Sequence, residues 1–326
     1  MAAPSTQWHE RIADTEAARF EQIAQTIGDI QREVSSNDRV GRGLHRNQRL
    51  GFRARFEVLP DLPAHARHGI FAEPRSYDAT VRLSNGSHSR LPDRAPDVRG
   101  FAVRVTGVSG PGALGIPTTA QCFVMINSEV FSFPSPDEFI DVVRASTKGQ
   151  LAVLRVLMKR YGFFGGLRRA MRLGKGLGAP FAGFADTTFY SAAPLACGPY
   201  AMKLRLVPTT PRGQAISRVD DATADMHDRL AAGDLTWELQ AQFFVDDQTT
   251  PIEDPTVPWP SPYVTVARLV AARQDTQSDD GKALAEAIEK DVFDPWAALV
   301  EHRPLGEIMR ARKAAYLASQ RGRGVA

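Results

Sequence analysis

Between residues 8 and 34, Phe20, Ile23, Ile27, Ile30 and Val34 recur at steps of three and four, with acids and arginines between them. That spacing lines one face of a helix. It predicts an amphipathic helix over 8–34, packed on the body or wrapped round a partner subunit. From residue 51 the period shortens to two. In GFRARFEV, Phe52, Ala54, Phe56 and Val58 take one face and Arg53, Arg55 and Glu57 the other, as in a half-buried strand. Similar patterns predict strands at 78–84, 99–106, 121–126, 200–207, 235–246 and 263–273. Pro- and Gly-bearing loops join them without regular strand–helix alternation. The expected class is α+β, with a mainly antiparallel sheet or barrel rather than a doubly wound fold. Helices are predicted at 137–145, 150–161, 221–232, 279–292 and 305–321, several of them starting in acids.

The composition is that of an ordinary globular chain: 326 residues, 43% hydrophobic and 24% charged. Collagen-like and mostly disordered chains are excluded. A formal net charge of +3 carries no nucleic-acid signature. Cys122 and Cys197 form no C-x-x-C pair, and the N-terminus lacks a basic-then-apolar leader. Both favour a cytoplasmic location. G-x-S-x-G and Walker motifs are absent, which removes the usual support for hydrolase and P-loop readings. His65 and His68 fall in a Pro-flanked loop with no third metal ligand in reach by spacing, and read as solvated. From 144 to 175 the chain carries bases and apolar residues but no acid. Such a segment suits a cationic packed helix pair, or a peripheral contact with an anionic membrane or lipid.

Four stretches stand out. They are Arg42-Gly43-Leu44-His45, Val81-Arg82-Leu83-Ser84, Asp97-Val98-Arg99-Gly100-Phe101-Ala102-Val103, and Arg312-Lys313-Ala314-Ala315-Tyr316. Period two puts Arg82 and Ser84 on one face of their strand. With Phe131, Pro134 and Phe293-Asp294-Pro295 they follow the order and approximate spacing of the haem-catalase core. The resemblance covers about residues 42–323. In length the chain resembles the small catalase-related haem peroxidases. It implies a single haem domain: an N-terminal helical arm (1–40), an antiparallel β-barrel around a haem b pocket (41–275) with inserted helices at about 135–180, and C-terminal helices (276–326) with the proximal ligand.

The resemblance also implies roles. Tyr316 matches the proximal iron ligand. Arg312, one helical turn earlier, would stabilise a tyrosinate; a unit charge about 4 Å away contributes about 4 kcal/mol at an effective dielectric of about 20. His45 matches the distal base and Ser84 the residue that orients its ring. Arg42, Arg82 and Arg323 match propionate-binding positions, and Phe131 an aromatic packed on the haem. Arg99 reads as structural. The pattern departs where the family has a distal Asn. Thr118 falls at that position, and the nearby Gln121 offers an amide instead, while Asn127 lies beyond the strand. After Tyr316 the family's Asp-Thr pair is replaced by Leu317-Ala318.

The activity implied is peroxidase- or catalase-type reduction of hydrogen peroxide or organic hydroperoxides through a ferryl intermediate, with a small-molecule electron donor. Loss of the distal Asn weighs against efficient disproportionation of hydrogen peroxide. The alternatives are a hydroperoxide isomerase or lyase on the same scaffold, and a haem-binding protein without catalysis. The N-terminal arm suggests a homo-oligomer.

Overall fold

A computed structural model describes residues 3–35, 40–87, 92–93, 95–177, 181–209 and 221–325. Among them nine strands form one antiparallel sheet. In chain order these are β1 (Asn47–Val58), β2 (Ser76–Asn85), β3 (Arg99–Pro111), β4 (Pro117–Ile126), β5 (Phe189–Tyr190), β6 (Leu195–Cys197), β7 (Tyr200–Pro208), β8 (Leu235–Phe243) and β9 (Tyr263–Ala271). The spatial order is β5-β4-β3-β2-β1-β9-β8-β7-β6, and β5 also pairs with β7. That last pairing, Phe189 with Leu206 and Tyr190 with Arg205, closes eight strands into a barrel. β6 pairs farther along β7, through Leu195 with Met202 and Cys197 with Tyr200.

The α+β barrel expected from the sequence is thus present. Closure depends on β5, which, like β6, is too short to show a period of two and was not foreseen. The alternating strands place their apolar faces inward. Phe56 stacks on Phe123 at 5.6 Å between ring centroids, and Phe101 meets Trp237 edge-on at 5.5 Å. Burying each large side chain contributes roughly 1.5–3 kcal/mol, so the barrel interior is a filled core.

Six helices accompany the barrel among the described residues: α1 (Glu16–Val34), α2 (Pro136–Ser146), α3 (Gln150–Leu177), α4 (Ala222–Ala232), α5 (Asp279–Lys290) and α6 (Glu307–Arg323). α1 starts eight residues later than its apolar period suggests. The preceding segment is drawn out along the body instead. Trp8 Nε1 donates to the Pro199 carbonyl at 2.8 Å, and Glu10 accepts from Arg303, Gly306 and Arg310. Phe20, Ile23, Ile27 and Ile30 cluster with Ala311 of α6, so the arm packs on its own chain.

α3 also differs from expectation. It continues past residue 161 to Leu177, with a break at Gly162 (φ +72°, ψ 173°). A Cβ on Gly166 would lie 2.5 Å from the Met158 Cα, so the second half folds back closely on the first. The last three residues of the insertion, 178–180, lie outside the described residues.

Candidate functional site

The cavity that gathers the motif residues does not sit inside the barrel, as the sequence reading had it. Inward-facing Val81, Leu83, Phe101 and Val103 fill the barrel core. The opposite face of the same strands, with Arg82, Ser84, Gly100 and Ala102, looks onto the cavity. α6, Ile27 of α1, Phe139 of α2 and the loop before β1 complete its walls. All eight residues singled out by the motifs line it: Arg42, His45, Arg82, Ser84, Phe131, Arg312, Tyr316 and Arg323.

His45 enters from the loop before β1 with a left-handed backbone, φ +48°, a conformation rare outside glycine and costing about 1–3 kcal/mol. Arg82 offsets that cost. Its guanidinium donates to the His45 carbonyl at 3.0 Å and to the Arg46 carbonyl at 3.4 Å. The His45 Nδ1 lies 3.1 Å from Ser84 Oγ. Behind both stands Gly100. A Cβ there would come within 2.6 Å of Ser84 Oγ and 2.8 Å of His45 Nδ1. The imidazole–hydroxyl pair therefore rests directly on the β3 backbone, and this motif glycine, passed over in the sequence, makes room for it.

Three guanidiniums gather at one end. Arg42 donates to Glu289 Oε1 at 3.0 Å and to the carbonyls of Glu289 and Asp291 at 2.7 Å each. Arg82 Nε donates to Glu289 Oε2 at 2.9 Å. Arg323 reaches only the Glu289 carbonyl, at 3.5 Å, and its buried Nε has no partner. One carboxylate thus bonds two of the three guanidiniums, and the third reaches only the backbone carbonyl of the same residue. Burial first, and Arg82 second, push the Arg42 guanidinium down to about 9. Burial also lowers Arg323. Glu289 carries no motif signature, so nothing in the sequence pointed to it.

α6 brings Arg312 and Tyr316 together. The Arg312 guanidinium donates to Tyr316 Oη at 3.0 Å and lies 5.3 Å from the centre of its ring. Asp294 of the Phe-Asp-Pro stretch accepts from Gln320 Nε2 at 2.6 Å and from the Trp296 amide at 2.9 Å. These bonds fix α6 against the barrel where the family's Asp-Thr pair is missing. Phe131 packs with Phe133 and Phe139 at ring-centroid distances of 5.2–5.6 Å.

The replacement amide does not materialise. Gln121 Oε1 accepts from the Leu299 amide at 3.0 Å, and its Nε2 faces the Cys122 carbonyl at 3.5 Å. Thr118 Oγ1 donates to the Ala120 carbonyl at 2.8 Å. Neither lines the cavity, whose β4 wall is Val124, Met125 and Ile126. Asn127 accepts from the Arg99 amide at 2.8 Å. Arg99 itself is buried, donates to the carbonyls of Asp93 and Ala95, and lies outside the cavity. His65 is half-buried rather than solvated, edge-on to Phe243 at 4.6 Å. Among the described residues no cluster of three or more His, Cys, Asp or Glu is placed to hold a metal ion.

Three solved structures share this architecture. A fungal catalase matches with a TM-score of 0.67 and 17% identity, over 100% of this chain and 65% of its own. Catalase A from Saccharomyces cerevisiae matches at 0.66 and 17%, over 87% and 61%. A bacterial catalase matches at 0.65 and 15%, over 99% and 63%. This chain has the catalase fold. It spans less than two thirds of the length of these three catalases. No protein-family model and no curated protein matches it. Against the catalase fold, the cavity described here is the space between the barrel's outer face and α6.

Proposed function

We propose that this chain is a haem b-dependent peroxidase, a single haem domain that reduces organic hydroperoxides, and hydrogen peroxide less well, at the expense of a small-molecule donor. One observation carries the reading: three guanidiniums gather round Glu289, the one carboxylate that lies among them, at the edge of a cavity that also presents an arginine-paired phenol and a serine-held imidazole. The residues fit the group. Two propionates would balance the two surplus positive charges and give the buried Arg323 Nε an acceptor. Tyr316 would supply the phenolic oxygen that holds the iron, with Arg312 stabilising its negative charge. Bound haem supplies an iron centre that cleaves the peroxide O–O bond and holds two oxidising equivalents until a donor removes them.

The remaining work belongs to the side chains. With the Nδ1 proton donated to Ser84, His45 presents Nε2 as its base. It would take the hydroperoxide proton and return it to the departing oxygen, which leaves as alcohol or water. Val124, Ile126, Phe131 and Phe139 exclude water and favour a substrate with an apolar tail. The same apolar wall supports a second reading, a hydroperoxide isomerase or lyase that returns both equivalents to the substrate's own carbon chain and needs no donor.

Haem-loaded protein and Tyr316→Phe, compared by visible spectrum and by turnover of cumene hydroperoxide and hydrogen peroxide, test the proposal. A high-spin ferric spectrum altered by the substitution is expected, with donor-dependent consumption of cumene hydroperoxide and slow oxygen release. Consumption that ignores the donor would select the isomerase reading. Failure to retain haem stoichiometrically would overturn both.

A further inference from the structure

The cavity leaves one prominent surface without a role. α3 doubles back at Gly162, and this exposes Phe163 and Phe164 at the bend, 62% and 79% accessible, with their rings crossed at 90°. Large apolar side chains this open are ordinarily found singly. Here they continue along the second half of the helix. At a helix's turn of 100° per residue, Phe163, Leu167, Met171 and Phe164 cover an arc of roughly 100°. Leu167 and Met171 are exposed too, at 42% and 61%. Arg168, Arg172 and Lys175 occupy the adjoining sector, all exposed. None of the three makes an ion pair among the described residues, and neither do Arg155 and Lys159 on the first half. The buried Gly166 lies on the opposite side, against the first half. The exposed surface therefore combines an aromatic tip, an apolar stripe and a flanking row of unneutralised cations.

We propose that the α3 hairpin docks on an anionic lipid surface, with Phe163 and Phe164 entering the headgroup–acyl boundary and Arg168, Arg172 and Lys175 on the lipid phosphates. Charge selects this occupant. Nine Lys or Arg and no acid lie between Asp141 and Asp186. A two-fold contact with a second copy would oppose these like charges, whereas an anionic bilayer matches both the cations and the apolar tip. No helix among the described residues is long and apolar enough to cross a membrane, so the contact is peripheral. The hairpin is also tied to the cavity. Arg169 donates to Glu138 Oε1 at 2.7 Å and to the Ser132 carbonyl at 2.5 Å. Its guanidinium lies 5.6 Å from the centre of the Phe133 ring, which packs on cavity-lining Phe131 and Phe139. Docking would bring the aromatic wall close to the bilayer that holds hydroperoxides of acyl chains.

Flotation of the full-length, haem-loaded protein with vesicles tests this independently of any turnover. Phosphatidylcholine vesicles serve as the neutral surface, and phosphatidylcholine with phosphatidylglycerol as the anionic one. The wild type should float with anionic vesicles only and be released by high salt. Phe163→Ser with Phe164→Ser, and separately Arg168→Glu with Arg172→Glu, should each cut retention by at least roughly tenfold while circular dichroism, thermal midpoint and haem spectrum stay unchanged. No retention of the wild type, or retention that both variants share, would overturn the proposal. So would a change from dimer to monomer in the Phe pair by light scattering with no lipid binding by the wild type, which would assign the face to a second copy. If haem fails to bind but flotation holds, only the peroxidase reading falls.

Discussion

At the scale of single residues, the site depends on one missing side chain. Gly100 leaves His45 and Ser84 the space they occupy. Gly100→Ala is expected, under the proposed function, to retain haem but lower peroxide turnover by roughly a hundredfold or more, since a positioned acid–base group contributes about 10²–10⁴-fold. Haem content and steady-state rates check this; an unchanged rate would show that the imidazole does not work from this position. Ser84→Ala should give a smaller loss and a shifted pH–rate profile, because the ring keeps its place but loses the partner that fixes its tautomer. Period two put Arg82 and Ser84 on one face and the i, i+4 step put Arg312 beside Tyr316, whereas Arg42, His45, Phe131 and Arg323 were legible only through the resemblance to the haem-catalase core. Glu289 and Phe139 were not legible. Their importance comes from the groups that reach them across the fold, and no local pattern records that. Gln121 failed for the same reason: its identity promised an amide in the cavity, and a carbonyl and an amide elsewhere claimed it.

Among elements, the union of the N-terminal segment with α6 matters most, because α6 carries Tyr316. Arg310 pairs with Glu10, Glu16 and Glu253 at 2.7–3.0 Å, and those hydrogen bonds raise it further above its ordinary range despite its burial. Removing it leaves three carboxylates facing one another with little solvent. Arg310→Met is therefore expected to destabilise the protein by about 3–5 kcal/mol, read by chemical denaturation, and to weaken haem retention. A loss below 1 kcal/mol would mean that the carboxylates find other partners. The sequence showed α1 and α6 clearly through their spacing. It did not show that residues 8–15 leave the helix, because tertiary hydrogen bonds to Trp8, Glu10 and Arg11 outweigh helical propensity there. The break in α3 was hidden as well, since a glycine in an apolar run does not announce a left-handed turn.

For the molecule as a whole, alternation in seven strands sufficed to predict an antiparallel sheet or barrel, the resemblance chose the barrel, and the two short strands that complete the sheet carried no signal. One buried histidine links pieces of that barrel. His302 accepts from the Ile70 amide at 3.0 Å through Nε2 and lies 3.2 Å from the Ala196 carbonyl through Nδ1. Burial pushes it down to about 4. A histidine kept neutral in the folded state and protonated in the unfolded one costs no stability above pH 6.5. The cost grows as pH falls from 6.5 toward 4, reaching roughly 3 kcal/mol. Denaturation midpoints across that window should fall steeply for the wild type and less steeply for His302→Gln. Parallel curves would assign the acid sensitivity to other groups.

The cavity draws on residues far apart along the chain: Arg42 and His45 before the first strand, Arg312, Tyr316 and Arg323 some 270 residues later. During synthesis the ribosome releases the first pair long before the last three emerge. A nascent chain can thus close much of its barrel while the binding place does not yet exist. Under the proposed function, capture of haem would be a late event, after α6 has docked. Cells short of haem would be expected to accumulate a folded, loadable apoprotein rather than a stalled intermediate, and adding haem after translation has been stopped should restore the spectrum in full.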